Sequence, residues 1–256
     1  MKFVIDTEAQ TLTRIQDGEQ TAVGLFTKEA FETLSREWVR VGWSLKYYHN
    51  FSWLGRPILQ LPEDLMRLQE VVYRVRPRVI VETGIFRGGS LLFHAGLLKI
   101  LGGGRVIGID LEIPAADREA IAADPLGPGI SLLEADSADP RTVEEVKRLI
   151  GGAGPVLVIL DSCHTKAHVA KELECYAPLV SEGSYIIATD GVMRDLTGVP
   201  GGMPEWTGDN PAAAALEFAT RHPEFLLEQP PWLFHDGPLT ENVTYWPNAW
   251  LRRVGA

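Results

Sequence analysis

Arg78-Val79-Ile80-Val81-Glu82-Thr83-Gly84-Ile85-Phe86-Arg87-Gly88-Gly89-Ser90 is the stretch that decides the fold. A short β-branched apolar run ends at an acid, a glycine-rich turn follows, and an apolar helical pattern begins at once. A strand that feeds a helix through such a turn brings backbone close to a ligand and aims the free N–H groups of a helix N-terminus at it. The spacing is Gly-x-x-x-Gly-Gly, not the Gly-x-Gly-x-x-Gly of dinucleotide binders, and it suits a nucleotide-type cofactor without a pyrophosphate. By itself, a glycine-rich turn is also explained by tight chain reversal alone.

The same form recurs on both sides. Arg105-Val106-Ile107-Gly108-Ile109-Asp110 ends at an acid, and strand-like runs follow at 129–134, 155–161 and 183–190. Helical patterns fall between them at 89–101, 115–123, 140–150 and 165–179. Apolar strands separated by helices predict an α/β, Rossmann-like doubly wound sheet, mostly parallel and covered on both faces. Asp209-Asn210-Pro211 reads as the cap of a further helix to about 221. Runs near 225–228 and 240–245 are expected to add an antiparallel edge.

Before this core, residues up to about Gly24 are polar and weakly patterned, and 28–48 carries Phe31, Leu34, Trp38, Val41, Trp43 and Leu45 at near-helical spacing. An aromatic loop near Trp53 and a helix opened by Leu61-Pro62-Glu63-Asp64 follow. The chain thus divides into an N-terminal helical extension (1–60), for oligomerisation or active-site cover, and a catalytic domain (61–256) with an inserted loop near 191–210. That loop is rich in Gly and Pro, and with Trp53, Met203 and Trp206 it is a candidate lid or wall.

Composition excludes several classes. The 256 residues carry a formal net charge of −10, and the 24 Lys and Arg form no basic block, so nucleic acid is a poor partner. The two cysteines, Cys163 and Cys175, make no disulfide framework. No apolar run approaches the roughly eighteen residues of a membrane span, and no leader pattern opens the chain, so it reads as cytoplasmic. The aromatic N-terminal segment would be costly to expose and points to a homo-oligomer.

Chemistry concentrates at the strand ends. Asp110, with Glu112 nearby, can bond ribose hydroxyls; either acid alone reads equally as a solvated strand end. Glu134, Asp136 and Ser137 lie where adenine-edge contacts would fall. Asp161 and Asp190 end adjacent strands, and two such carboxylates repel unless a cation lies between them; an oxygen-rich site suits Mg²⁺. Helix capping is the alternative for both. His164, just past a strand end, is a candidate general base. His168, one helical turn on, reads as structural.

Phe51-Ser52-Trp53-Leu54-Gly55-Arg56-Pro57-Ile58-Leu59-Gln60, the Glu82-Thr83-Gly84 and Gly88-Gly89-Ser90 turn, Gly108-Ile109-Asp110 and Leu160-Asp161-Ser162-Cys163-His164-Thr165 are collinear motifs. With Pro178-Leu179-Val180, Asp209-Asn210-Pro211, His222-Pro223-Glu224-Phe225 and Trp250-Leu251-Arg252-Arg253, they give the chain a resemblance to the cephalosporin hydroxylase and rhamnosyl O-methyltransferase family over about 47–253. The resemblance implies an S-adenosylmethionine-dependent, Mg²⁺-assisted O-methyltransferase of natural-product or antibiotic biosynthesis, oligomeric, acting on a sugar hydroxyl or another small molecule. It implies cofactor contacts among Glu82, Thr83, Gly84, Gly88, Ser90 and Asp110, and metal contacts from Asp161 and Asp190. Cys163 stands where relatives commonly have Asn, and Thr189 where some carry Glu, which leaves the metal one carboxylate short; Asp195 is the nearest candidate replacement.

Methyl transfer from a sulfonium is an in-line displacement that needs alignment and an electron-rich oxygen, with His164 and Asp161 in catalytic positions. A nicotinamide-dependent oxidoreductase fits the α/β pattern but lacks the matching glycine spacing. An iron-dependent hydroxylase would need two His and a carboxylate, of which His164 and Asp161 are only part. Thr189 keeps open a cofactor-binding homologue without turnover, acting in a biosynthetic complex.

Overall fold

The computed structural model describes residues 1–255. Strands β1 (Lys2–Asp6), β2 (Thr11–Gln16) and β3 (Glu19–Gly24) form an antiparallel meander, followed by α1 (Lys28–Ser44), the two-residue pair β4 (Ser52–Trp53) and β5 (Arg56–Pro57), and α2 (Pro62–Val75). The core then runs β6 (Val79–Thr83), α3 (Gly89–Ile100), β7 (Arg105–Asp110), α4 (Ala115–Ala123), β8 (Ile130–Glu134), α5 (Pro140–Ile150), β9 (Val156–Leu160), α6 (Lys166–Tyr176) and β10 (Tyr185–Ala188). It closes with α7 (Pro211–Arg221), β11 (Phe225–Leu227) and β12 (Trp250–Arg253).

The main sheet has seven strands in the order β11-β12-β10-β9-β6-β7-β8, with β6 through β10 parallel and β12 antiparallel to both of its neighbours. This is the doubly wound sheet with an antiparallel edge that the sequence pattern predicts. Strands β6 and β9 are buried along their whole length. Alternation along β6 sends Ile80 into one apolar layer and Val79 and Val81 into the other. The first layer is closed by Leu68, Val71 and Val72 of α2 with Leu91 and Leu98 of α3; the second by Val146 of α5, Leu173 of α6 and Phe218 of α7. Each such side chain contributes about 1.5–3 kcal/mol by leaving water.

The chain winds one way from β6 through β7 to β8 and the other way from β9 to β10, so the winding reverses between β6 and β9. The crevice at the C-terminal ends of those two strands is where an open α/β sheet binds ligands.

Two segments depart from the sequence reading. Residues 2–24 are a β meander, so the helical part of the extension begins at Lys28. Its strands are largely exposed and carry no clean apolar alternation, but Asp17 and Gly18, at φ 52° and 87°, form the two-residue hairpin turn that Asp-Gly favours. The last strand is Trp250–Arg253, not 240–245. In the latter segment the buried Asp64 carboxylate accepts from the Tyr245 amide at 2.9 Å and from the Thr244 hydroxyl, so a side chain takes the place of a ladder.

Candidate active site

Gly84 ends β6 at φ 76°, and a Cβ there would lie 2.1 Å from the Asp161 carbonyl oxygen. Only glycine lets the turn press against the end of β9, where the Asp161 amide donates to the Thr83 carbonyl at 2.9 Å. Gly88, at φ 80°, precedes α3, and a Cβ there would meet the Ile121 side chain at 2.4 Å. The turn is also held from the side: the Ile85 amide donates to Asp110 Oδ2 at 2.9 Å, so one oxygen of that strand-end acid fixes the glycine-rich segment.

A cavity of about 490 Å³ opens above these strand ends. It gathers Gly84, Ser90, Asp110, Asp136, Ser137, Asp161, His164 and Asp190, eight of the residues singled out from the sequence. Glu82, Thr83, Gly88 and Glu112 do not line it. Alternation along β6 turns Glu82 towards α3, where it is buried with its carboxylate 3.3 Å from His94 Nε2. Thr83 is buried, Gly88 shapes the turn, and Glu112 is exposed in the loop after β7. Glu134 also turns aside, accepting from the Ile113 amide at 3.2 Å and from Arg118.

Among the lining residues, Asp161, His164 and Asp190 each offer a ligand atom, all within 4.8 Å of one another, and His164 Nε2 lies 3.3 Å from Asp190 Oδ2. Asp190, two residues past β10, has φ 56°, a left-handed conformation rare outside glycine, and brings a carboxylate oxygen within 4.8 Å of one on Asp161. Burial, and then the charge of Asp190, raises the Asp161 pKa well above the ordinary carboxylate range. Burial raises Asp190 as well, against the opposing effect of His164. Two acids whose charged forms are disfavoured by burial and, at Asp161, by the neighbouring charge form a donor pair that a divalent cation fits, because the cation relieves both desolvation and repulsion. Thr189 donates its hydroxyl to Asp161, and Asp195 is exposed and paired with Arg194 at 3.3 Å, so Asp195 does not join the group. His164 lies beside the two acids instead, with its Nε2 against Asp190.

Several lining residues come from outside the strand-end pattern. Gln60 Nε2 donates to Asp161 Oδ2 at 2.8 Å. The end of α1 brings Trp43, and the turn after it Tyr48, into the wall. Trp43 meets Trp206 of the Gly/Pro-rich loop edge to face, with ring centroids 5.5 Å apart, and Ser44 Oγ donates to the Pro200 carbonyl at 3.3 Å. Trp206 therefore belongs to the wall as expected. Trp53 does not: it packs on Phe93 at 5.0 Å, and Met203, half exposed, does not line the cavity either.

The rhamnosyl O-methyltransferase of Mycobacterium tuberculosis is 29% identical over 167 residues, 62% of this chain and 66% of its own length; that of Mycobacterium leprae is 30% identical over 151 residues, 56% and 64%. The chain thus spans just under two thirds of these relatives. The structure of CmcI with Mg-SAM superposes with a TM-score of 0.54 at 25% identity, covering 81% of this chain and 78% of CmcI. Residues 45–254, a span that runs from before Tyr48 in the cavity wall to past the sheet's antiparallel edge, match the profile of the rhamnosyl O-methyltransferase/CmcI family, and the chain belongs to that family.

Proposed function

We propose that this protein is an S-adenosylmethionine-dependent O-methyltransferase assisted by a divalent cation, Mg²⁺ in the first instance. The observation that carries the reading is that one cavity joins a nucleoside-type end, Gly84, Asp110 and Ser137, to the Asp161–His164–Asp190 cluster. Membership of the family and the Mg-SAM bound by CmcI support the same choice of cofactors.

Bound, the donor supplies an electrophilic sulfonium methyl, and the cation supplies a Lewis acid that makes a coordinated hydroxyl more acidic. The protein's own work is placement and proton handling. Gly84 and Ser90 admit the donor to the head of α3, and the Asp110 oxygen not bonded to Ile85 is left for a ribose hydroxyl. Asp136 and Ser137 face the base. Asp161 and Asp190 hold the cation, with Gln60 and Thr189 orienting Asp161. His164 takes the acceptor's hydroxyl proton as the new O–CH₃ bond forms and the S–CH₃ bond breaks, leaving S-adenosylhomocysteine.

The acceptor is a sugar hydroxyl or that of another small natural-product scaffold; Trp43, Tyr48 and Trp206 offer aromatic faces for stacking on a ring. α1 serves as active-site cover. Exposed Trp38 and Val41 on α1, with Leu45 just after it, support a homo-oligomer, and the chain works in the cytoplasm as part of antibiotic biosynthesis. Among the described residues no helix is long and apolar enough to cross a membrane.

Calorimetric titration with S-adenosylmethionine and with NADH, each with and without Mg²⁺, tests this. Binding of the methyl donor alone, followed by turnover on rhamnosylated acceptors, is the expected result. Binding of NADH in its place overturns it.

A further inference from the structure

Glu172 on α6 is fully buried, and among the described residues no lysine or arginine pairs with it. Its Oε1 accepts from Ser137 Oγ at 2.6 Å and from Ser162 Oγ at 2.8 Å, and lies 3.5 Å from His168 Nε2. The two serines belong to different loops, one after β8 and one after β9, and both line the cavity. A buried carboxylate is costly without a cation or several donors. Here the donors are the two hydroxyls, and the His168 imidazole lies beside them.

That arrangement fixes the ring. His168 Nε2 lies 3.3 Å from Ser137 Oγ and 3.2 Å from Ser162 Oγ. Nδ1 has no partner among the described residues and is not buried, while the side chain, 24% exposed, lines the cavity. The hydrogen bond to Glu172 raises the His168 pKa above its ordinary value, with smaller contributions from Cys163 and Asp136. A ring held at one nitrogen by a buried network, unpartnered at the other and set in the cavity wall is poised to contact a ligand.

We propose that His168 is an additional cofactor-binding residue: Glu172, Ser137 and Ser162 anchor its Nε2, and its Nδ1 meets the adenosine half of the methyl donor. The proposal rests on the methyltransferase reading above and extends it to a residue that the sequence presents as structural. Because Glu172 ties the loop after β8 to the loop that begins at Asp161, the same anchor holds the nucleoside end in register with the metal end.

The test is calorimetric titration of S-adenosylhomocysteine, with adenosine as a competing probe, into the wild type and three variants. In His168→Asn the amide takes the place of Nδ1; in His168→Gln it takes the place of Nε2; His168→Ala keeps neither. A ligand contact at Nδ1 predicts that Gln and Ala both weaken S-adenosylhomocysteine and adenosine about tenfold, with Asn closer to wild type. A purely structural anchor predicts the reverse order, with Gln restoring wild-type affinity, and that result overturns the proposal. An unchanged Kd in His168→Ala overturns it too. Wild type that binds no S-adenosylhomocysteine removes the methyltransferase reading and this proposal together, whereas wild-type binding with a fully active Gln variant removes the proposal alone. Melting curves for all four proteins identify any variant that is unfolded, and the remaining pair still separates the two orders.

Discussion

Gln60 Nε2 donates to Asp161 Oδ2 at 2.8 Å across 101 residues of sequence. Gln60 ends the segment that leads into α2, and Asp161 ends β9, so the contact pins the acid at the reversal of winding to the segment before the core. With Thr189 donating to the other oxygen, Asp161 has a fixed orientation before any ligand arrives. Groups that orient a metal-facing carboxylate in this way commonly change metal affinity when lost.

Gln60→Ala is therefore expected to weaken Mg²⁺ binding by about 10- to 100-fold. Affinity for S-adenosylhomocysteine in the absence of metal should stay within roughly threefold of wild type, a change under 1 kcal/mol. Calorimetry on the two ligands separately checks this; equal Mg²⁺ affinity in variant and wild type refutes it.

Gly84→Ala should be severe. The backbone there has φ 76°, and the new methyl would sit 2.1 Å from the Asp161 carbonyl oxygen, against backbone that has nowhere to move. Strain and forced separation of β6 from β9 together are expected to cost about 2–4 kcal/mol. Urea unfolding measures the loss, and a variant within 0.5 kcal/mol of wild type, roughly the scatter of neutral surface changes, contradicts the clash.

Asp64 gives the stability a pH dependence whose sign is fixed. Burial raises its pKa from 3.8 to about 7, even though Thr244 and Tyr245 donate to it. The folded state therefore keeps a proton that the unfolded chain releases. This contribution is full below pH 3.8, is lost as pH rises, and levels off above about 7. The slope is at most about 1.4 kcal/mol per pH unit. Between pH 5 and 7, wild type should lose about 2 kcal/mol more than Asp64→Asn in urea unfolding. Parallel losses in the two proteins would show that Asp64 titrates normally.

The sheet was legible because β6 and β9 are buried on both faces and read as unbroken apolar runs, and because acids and glycines sit where the strands end. Asp110, Asp161, His164 and Asp190 were legible for the same reason: a strand end fixes position in space as well as in sequence. Glu82 misled because its side of the strand, set by alternation from Ile80, faces His94 and not the cavity. Gln60, Trp43 and Tyr48 come from segments outside the β–α repeat, so no local pattern ties them to the strand ends. The hairpin at Asp17 and Gly18 was the reverse case, a turn signal present but flanked by strands too polar to register as strands. Thr244 and Tyr245 read as a strand, and the distant Asp64 carboxylate binds them instead.

The wall formed by Trp43 and Trp206 yields the last prediction. The rings meet edge to face at 88°, and the Gly/Pro-rich loop has few other ties to α1: the Ser44 hydroxyl on the Pro200 carbonyl, and Gly201 so close to Trp43 that a Cβ there would lie 3.5 Å from the ring. An aromatic pair of this kind is worth about 0.5–1.5 kcal/mol beyond its buried area. Trp43→Ala should therefore raise the open population of the loop roughly three- to tenfold, by the same free energy. Limited proteolysis near residues 197–207 should quicken by that factor, while the urea midpoint of the core sheet changes little. Added S-adenosylhomocysteine should slow cleavage less than it does in wild type, because the closed wall is harder to restore without the indole. Cleavage at the wild-type rate would mean that the loop is held by its own 3₁₀ turns, Gly191–Asp195 and Pro204–Thr207, and does not depend on α1.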